Sequence, residues 1–360
     1  MNESHENAQE RTPRSESGPG QQRLSRRDFF RETSATVATA AVAGGLTAEG
    51  ASGLGAQQET REAARGPRVR ELDPEAGLSA ILLGTGTPLP NPARACTSTL
   101  VLAGDRSILV DTGRGALDNL ATAGFQDVSM VLFTHYHSDH IGDFGEIMVN
   151  RGIWGAERPM PVFGPQGAQQ VVGSLLGAYE LDTGYRKAHH GEKWSDHAMK
   201  AAIEVVEPGV IYDEDGLRIE MFAVDHTPVT PAMGFRFDYK GKSLVISGDT
   251  KYVPWMAEKA EDCDLLIHEA LNTTMTQMTL GALRDNPRLT EMTREMMDYH
   301  TPTEQVARIA RDAGVKRLVL NHMVPSIPPT EQAEGAFARG MGDVFGNEVI
   351  VGRDGMEFEL

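Results

Sequence analysis

Up to about position 78 the chain is polar or charged, apart from one mild apolar run. Beyond it, short apolar runs alternate with stretches of helical period. The short runs predict strands at Ala80–Leu83, Thr97–Leu102, Ser107–Val110, Met130–Thr134 and Pro161–Phe163. A second set follows at Ala202–Val206, Leu217–Val224, Met233–Tyr239, Ser243–Ser247, Leu265–His268, Arg317–Leu320 and Glu348–Val351. Helical period predicts helices over 114–124, 166–180, 254–261, 302–314 and 329–342. Glu304–Ala313 carries the clearest periodic face and follows Thr301-Pro302-Thr303, a good start signal. No internal repeat is visible. Two strand-rich halves with interspersed helices predict an α/β (α+β) architecture: two mixed sheets sandwiched between helix layers, in one domain over 79–360. The charged, Gly/Pro-punctuated stretch 58–78 reads as a linker.

Composition narrows the function classes. The 360 residues hold 34 Lys/Arg and 51 Asp/Glu, a net charge of −17. Residues 1–57 account for six Arg and seven Asp/Glu, which leaves 28 basic and 44 acidic residues, or −16, in the rest. Such a surface repels phosphate backbones, so it argues against a large nucleic-acid footprint while leaving room for a small anionic substrate. Two cysteines, Cys96 and Cys263, cannot build a disulfide framework.

The segment Ser25-Arg26-Arg27-Asp28-Phe29-Phe30-Arg31, followed by the mild apolar run 33–46 and small residues to Ala56, resembles a twin-arginine export signal. The run is too short and too mild to span a bilayer. The expectation is a leader over 1–57, recognition by the twin-arginine export machinery, a periplasmic or extracellular location and no stable membrane anchor. A homodimer is compatible with the sequence.

The chemistry concentrates in Met130-Val131-Leu132-Phe133-Thr134-His135-Tyr136-His137-Ser138-Asp139-His140, an apolar strand that runs into four metal-ligand side chains within six residues. In extended chain residues i and i+2 face the same side, so His135 and His137 can grip one metal. A turn after them lets Asp139 and His140 face a second. Imidazole and carboxylate are the ligands of catalytic zinc.

His-x-His-x-Asp-His after a strand resembles the signature of the metallo-β-lactamase superfamily. The resemblance runs from Leu83-Gly84-Thr85-Gly86-Thr87-Pro88 through Val110-Asp111-Thr112-Gly113 to the last strands. It implies an αββα sandwich with a dinuclear site at one sheet edge. It further implies that His226 joins His135 and His137 on metal one, that His322 joins Asp139 and His140 on metal two, and that Asp249 bridges. The implied cofactor is two Zn2+, with other divalent transition metals fitting the same ligands. His268-Glu269-Ala270 and His300-Thr301-Pro302 resemble motifs of the ribonuclease Z and arylsulfatase-like branch. In that branch the histidine corresponding to His300 donates a proton to the leaving group, while Asp139 orients the attacking water. By default His268 is a supporting residue, His189, His190 and His197 are surface or pocket-rim residues, and 142–160, with Trp154, is ordinary packing; the alternative for 142–160 is a flexible apolar wall beside the site.

Ribonuclease Z carries a basic arm between the third histidine and the bridging Asp. Only 22 residues separate His226 from Asp249 here, and two strands use nearly all of them. With the acidity and the leader, this favours an exported hydrolase of small sulfate or phosphate esters. The alternatives are a lactone, β-lactam or thiolester hydrolase of the same fold, or a ribonuclease Z-type endonuclease.

Overall fold

A computed structural model describes residues 69–360. The twin-arginine leader expected over 1–57 and most of the 58–78 linker lie outside the described residues.

The first half of the described chain lays down β1 (Leu78–Gly84), β2 (Ser98–Ala103), β3 (Arg106–Val110), α1 (Ala116–Thr122), β4 (Met130–Leu132), α2 (Ser138–Ile141) and α3 (Phe144–Ile153). It continues with β5 (Met160–Gly164), α4 (Ala168–Ala178), α5 (Glu180–His190) and β6 (Ala201–Val205). The second half gives β7 (Gly209–Glu214), β8 (Leu217–Ala223), β9 (Met233–Tyr239), β10 (Lys242–Ile246), α6 (Met256–Lys259), β11 (Leu265–Leu271), α7 (Thr273–Ala282) and α8 (Pro287–Glu295). Then come α9 (Thr303–Asp312), β12 (Leu318–Val324), α10 (Glu331–Phe337), α11 (Met341–Phe345), β13 (Val349–Val351) and β14 (Glu357–Glu359).

Sheet one has the order β14-β1-β2-β3-β4-β5-β6 and sheet two the order β13-β12-β11-β10-β9-β8-β7, seven strands each. Each half thus builds one sheet, except that β14 returns to pair with β1. Alternation explains the outer strands of sheet two. In β8 Leu217, Ile219 and Met221 are buried, whereas Arg218 and Glu220 are half-buried on the other face. The parallel strands β11 and β12 are buried at every position, as strands covered on both faces are.

Three apolar clusters define the layers. One, with Leu82, Ile108 and Leu132 of sheet one against Phe235, Phe237 and Ile267 of sheet two, fills the space between the sheets. A second seats α9 and the C-terminal helices on sheet two through Val306, Ile309, Phe337 and Met341. A third seats α1, α3 and α4 on sheet one through Leu120, Phe144, Ile147 and Val172. This is the four-layer sandwich expected, and each fully buried Leu, Ile or Phe contributes roughly 1.5–3 kcal/mol of transfer free energy.

The pattern missed some elements. Edge strand β7 and the short β14 bury little of their surface, so their sequences show no strong period. Helix α5 has no buried residue, and α7 and α8 have one each, Thr276 and Thr293. Residues 144–153, within the stretch 142–160 read by default as ordinary packing, are helix α3, whose Phe144, Ile147 and Met148 pack into the core. Cys96 and Cys263 are both buried and both free.

Candidate metal centre

Strand β4 ends one residue before Phe133, and the chain continues extended through His137 into the single turn α2. This places His135, His137, Asp139 and His140 in sequence around one point. The path is fixed from behind by Asp111, which follows β3 at φ 59° in the left-handed region. Its carboxylate accepts from the Thr134 amide at 2.9 Å, the Thr134 hydroxyl at 2.7 Å and His140 Nδ1 at 2.7 Å. The last bond keeps a proton on Nδ1 and turns His140 Nε2 inward, where it becomes a metal ligand once it gives up its own proton.

Sheet two supplies the other side. His226 follows β8, and its Nδ1 donates to the Tyr299 carbonyl at 3.0 Å, which presents Nε2 to the centre. Asp249 follows β10 through Gly248, at φ +61°; a Cβ there would lie 2.3 Å from the Met233 carbonyl oxygen and 3.2 Å from Thr134 Cβ. Only glycine fits this close approach of the two sheets. His322 arrives by a bulge. Glu269 of β11 pairs with Asn321 and Ala270 with Met323, so His322 is the extra residue of β12, at φ 41°. A bulge re-aims one side chain, and a left-handed histidine is a real backbone outlier.

The seven predicted ligands meet. His135, His137, His226 and Asp249 offer atoms that all lie within 4.8 Å of one another, and so do Asp139, His140 and His322. Asp249 Oδ2 stands 3.3 Å from His140 Nε2, 3.2 Å from His322 Nε2, 3.8 Å from His226 Nε2 and 3.9 Å from His135 Nε2, between the two groups. Only His137 of the seven is exposed, which sets the open mouth of the site. His300, buried, also comes within 4.8 Å of Asp249 and His322.

The electrostatics fit cations. Burial holds His135 well below the usual imidazole range, helped by the neighbouring His140. Burial also opposes charge on His140, yet Asp249, Asp111 and Asp139 together drive it well above that range. Asp249 is pulled well below the carboxylate range, with His322 and His140 outweighing its burial. Among the described residues the buried Nε2 atoms of His140 and His226 have no hydrogen-bond partner. Packing these groups together out of water is costly unless a cation compensates, so the donor set fits divalent metal.

Behind the ligands stands a second pair. Glu269 lies on the inward face of β11; its Oε1 accepts from the Thr301 amide at 2.7 Å, and its Oε2 lies 3.4 Å from His300 Nδ1. Burial, reinforced by Asp249, raises the Glu269 carboxyl well above its usual range, while burial lowers His300 to about 4. His268 is one residue out of register with this face. It is buried, and its Nδ1 bonds to the Glu269 carbonyl at 2.6 Å rather than to any ligand. His189 and His190 are exposed on α5 and His197 is half-buried, all apart from the centre. Sequence reasoning did not assign Asp111 and Glu269 their places. The signal was present in Val110-Asp111-Thr112-Gly113 and in the alternation of His268-Glu269.

Comparison with known proteins agrees with this geometry. The profile of the Beta-lactamase superfamily domain matches residues 106–323. The chain is 36% identical over 261 residues to the ribonuclease Z of Mycolicibacterium gilvum, covering 71% of this chain and 87% of that protein. It is 39% identical over 257 residues to the ribonuclease Z of Mycobacterium avium, covering 69% and 87%. Its fold is similar to the crystal structure of the metallo-beta-lactamase fold protein YhfI from Bacillus subtilis, with a TM-score of 0.57, 19% identity, and coverage of 79% of this chain and 99% of that one.

Proposed function

Because this chain belongs to the β-lactamase superfamily, as a ribonuclease Z-like metal-dependent hydrolase, we propose that it cleaves phosphodiester bonds of RNA. The observation that carries the reading is the convergence of seven ligand side chains from both sheets beside the buried Glu269–His300 pair. The ribonuclease Z relatives support a phosphodiester rather than a sulfate ester as the substrate. The overall acidity is a bulk sum, and a cation-loaded mouth at His137 reverses it locally.

His135, His137 and His226 would hold one cation, Asp139, His140 and His322 the other, with Asp249 between them. When bound, two zinc or similar ions supply a water acidified toward neutrality and draw charge off the phosphate oxygens. The chain's own residues do the rest. Asp139 aligns the attacking water and takes its proton. Glu269 and His300 hold one proton between them in a buried pocket beside Asp249, and His300 delivers it to the departing ribose oxygen. The Tyr299 carbonyl keeps the His226 ring turned inward.

The test is a panel on metal-loaded protein: a stem-bearing RNA with a single-stranded 3′ extension, bis-p-nitrophenyl phosphate and p-nitrophenyl sulfate, with His137→Ala as control. Cleavage of the RNA and the phosphodiester, lost in the control, is expected. Sulfate hydrolysis without cleavage of either phosphodiester would overturn the proposal. The short His226–Asp249 span, filled by β9 and β10 with no arm, favours a second reading, a small-ester hydrolase. Cleavage of the small diester with the RNA left intact would select it. We retain export as part of the proposal: residues 1–57 fused to a reporter should carry it out of the cytoplasm, and Arg26→Lys with Arg27→Lys should stop it.

A further inference from the structure

We infer that Arg94 is a positioning residue for His322, fixing the bulge that turns this side chain into the second group of ligands. The inference rests on the two-cation reading above.

The Arg94 side chain is fully buried. Its Nε donates to the Ile327 carbonyl at 2.8 Å, Nη1 to the Gly352 carbonyl at 2.6 Å and the Thr85 hydroxyl at 2.7 Å, and Nη2 to Glu334 at 3.0 Å. A buried guanidinium–carboxylate pair is weak evidence for stability, because apolar residues of equal volume often do as well. What the fork adds is placement, since its planar donors reach several chain segments at fixed angles.

Those segments bracket His322. Gly352 donates its amide to the Leu320 carbonyl at 2.9 Å, so the residue whose carbonyl Arg94 holds is tied two residues before His322. Ile327 lies five residues after it. Asn91, on the same loop as Arg94, repeats the hold by donating to the Ser326 hydroxyl at 2.9 Å and the Ile327 carbonyl at 3.3 Å. Between the two anchors the chain must keep His322 as an unpaired extra residue at φ 41°. A left-handed histidine relaxes unless its surroundings over-determine it. Pairing with β11 on either side and the Asn321 Oδ1, which accepts from the His322 amide at 2.8 Å, hold the bulge locally; Arg94 and Asn91 fix the chain on both sides of it from a neighbouring loop.

The test uses the full chain stripped of metal and titrated with Co2+, read by absorption, with thermal unfolding of the metal-free proteins alongside. The parent should take up two equivalents. Arg94→Met and Asn91→Ala should bind the first as the parent does and the second about 10- to 100-fold more weakly, the range seen when a ligand loses its outer support. Arg94→Lys should not restore it, because an ammonium cannot span three segments. Asn91→Ala lies outside the buried charge pair and decides the matter if Arg94→Met does not fold. Variants that hold the second equivalent like the parent, or weaken both alike, overturn the positioning role. A parent that takes up a single equivalent overturns the two-cation reading and this inference with it.

Discussion

Asp111 makes the support behind the centre measurable. Replacing it with alanine removes one acceptor from three buried donors: the Thr134 amide, the Thr134 hydroxyl and His140 Nδ1. The hydroxyl can turn to His135 Nδ1, 3.0 Å away. Two donors then remain unpaired, and each costs about 1–3 kcal/mol. The metal-free protein should therefore lose about 2–6 kcal/mol, a large share of the roughly 5–15 kcal/mol that holds a typical domain folded. Asp111→Asn keeps an acceptor for the Thr134 amide but no longer fixes the His140 tautomer by charge. It should lose less stability and bind metal about 10- to 100-fold more weakly, or about 1.4–2.8 kcal/mol. Urea unfolding of the stripped proteins measures the first effect and metal titration of the folded ones the second. If Asp111→Ala unfolds within about 0.5 kcal/mol of the parent and takes up metal equally, the carboxylate does not hold this site together.

Three further outcomes are expected. His300→Ala should slow phosphodiester cleavage by about 10²- to 10⁴-fold with metal content unchanged by elemental analysis; an undiminished rate removes His300 as proton donor. Gly248→Ala should abolish soluble, metal-binding protein, since its Cβ meets the Met233 carbonyl at 2.3 Å in a left-handed backbone; a normal yield with full metal content contradicts the close packing of the sheets at that point. Burial works to raise the Asp264 carboxyl, but the Lys316 ammonium and the Ser243 amide lower it overall. A carboxylate lowered on folding stabilises above its unfolded value, roughly pH 4, and loses that contribution as the pH falls through the folded value. Asp264→Asn should thus be less stable than the parent at pH 7, with the gap closing below pH 4; a gap that is constant with pH would show that Asp264 is not charged in the fold.

How much of this was legible in the sequence depends on burial. Strands such as β8, β9 and β11 could be read because one or both faces are buried, which imposes a pattern on residue type. Edge strand β7 and the exposed α5 carry no such imprint. The ligands from His135 to His140 were legible because a strand followed by a turn gathers them locally. His226, Asp249 and His322 were reached through resemblance, since nothing local says that three distant strand ends meet. The bulge at His322 was not legible, because it is set by pairing with Glu269 and by anchors at Gly352 and Ile327, all remote in sequence. The reading of His268 missed by one residue, and one step along a strand reverses the face.

The two sheets come from the two halves of the chain, yet neither half owns a complete ligand set. His135 to His140 hang from the first sheet, and His226, Asp249 and His322 from the second. A cation between them is a rivet through two plates, so part of its binding energy becomes cohesion between layers that are also joined by apolar contact, the returning β14 and polar ties such as those of Arg94 and the Met233 amide to the Thr134 carbonyl. Stripping it should loosen that seam before it melts either plate. Hydrogen exchange across the facing strands would report the loosening earlier than the loss of helical signal, which makes metal supply a setting of mechanical stiffness as well as of catalysis.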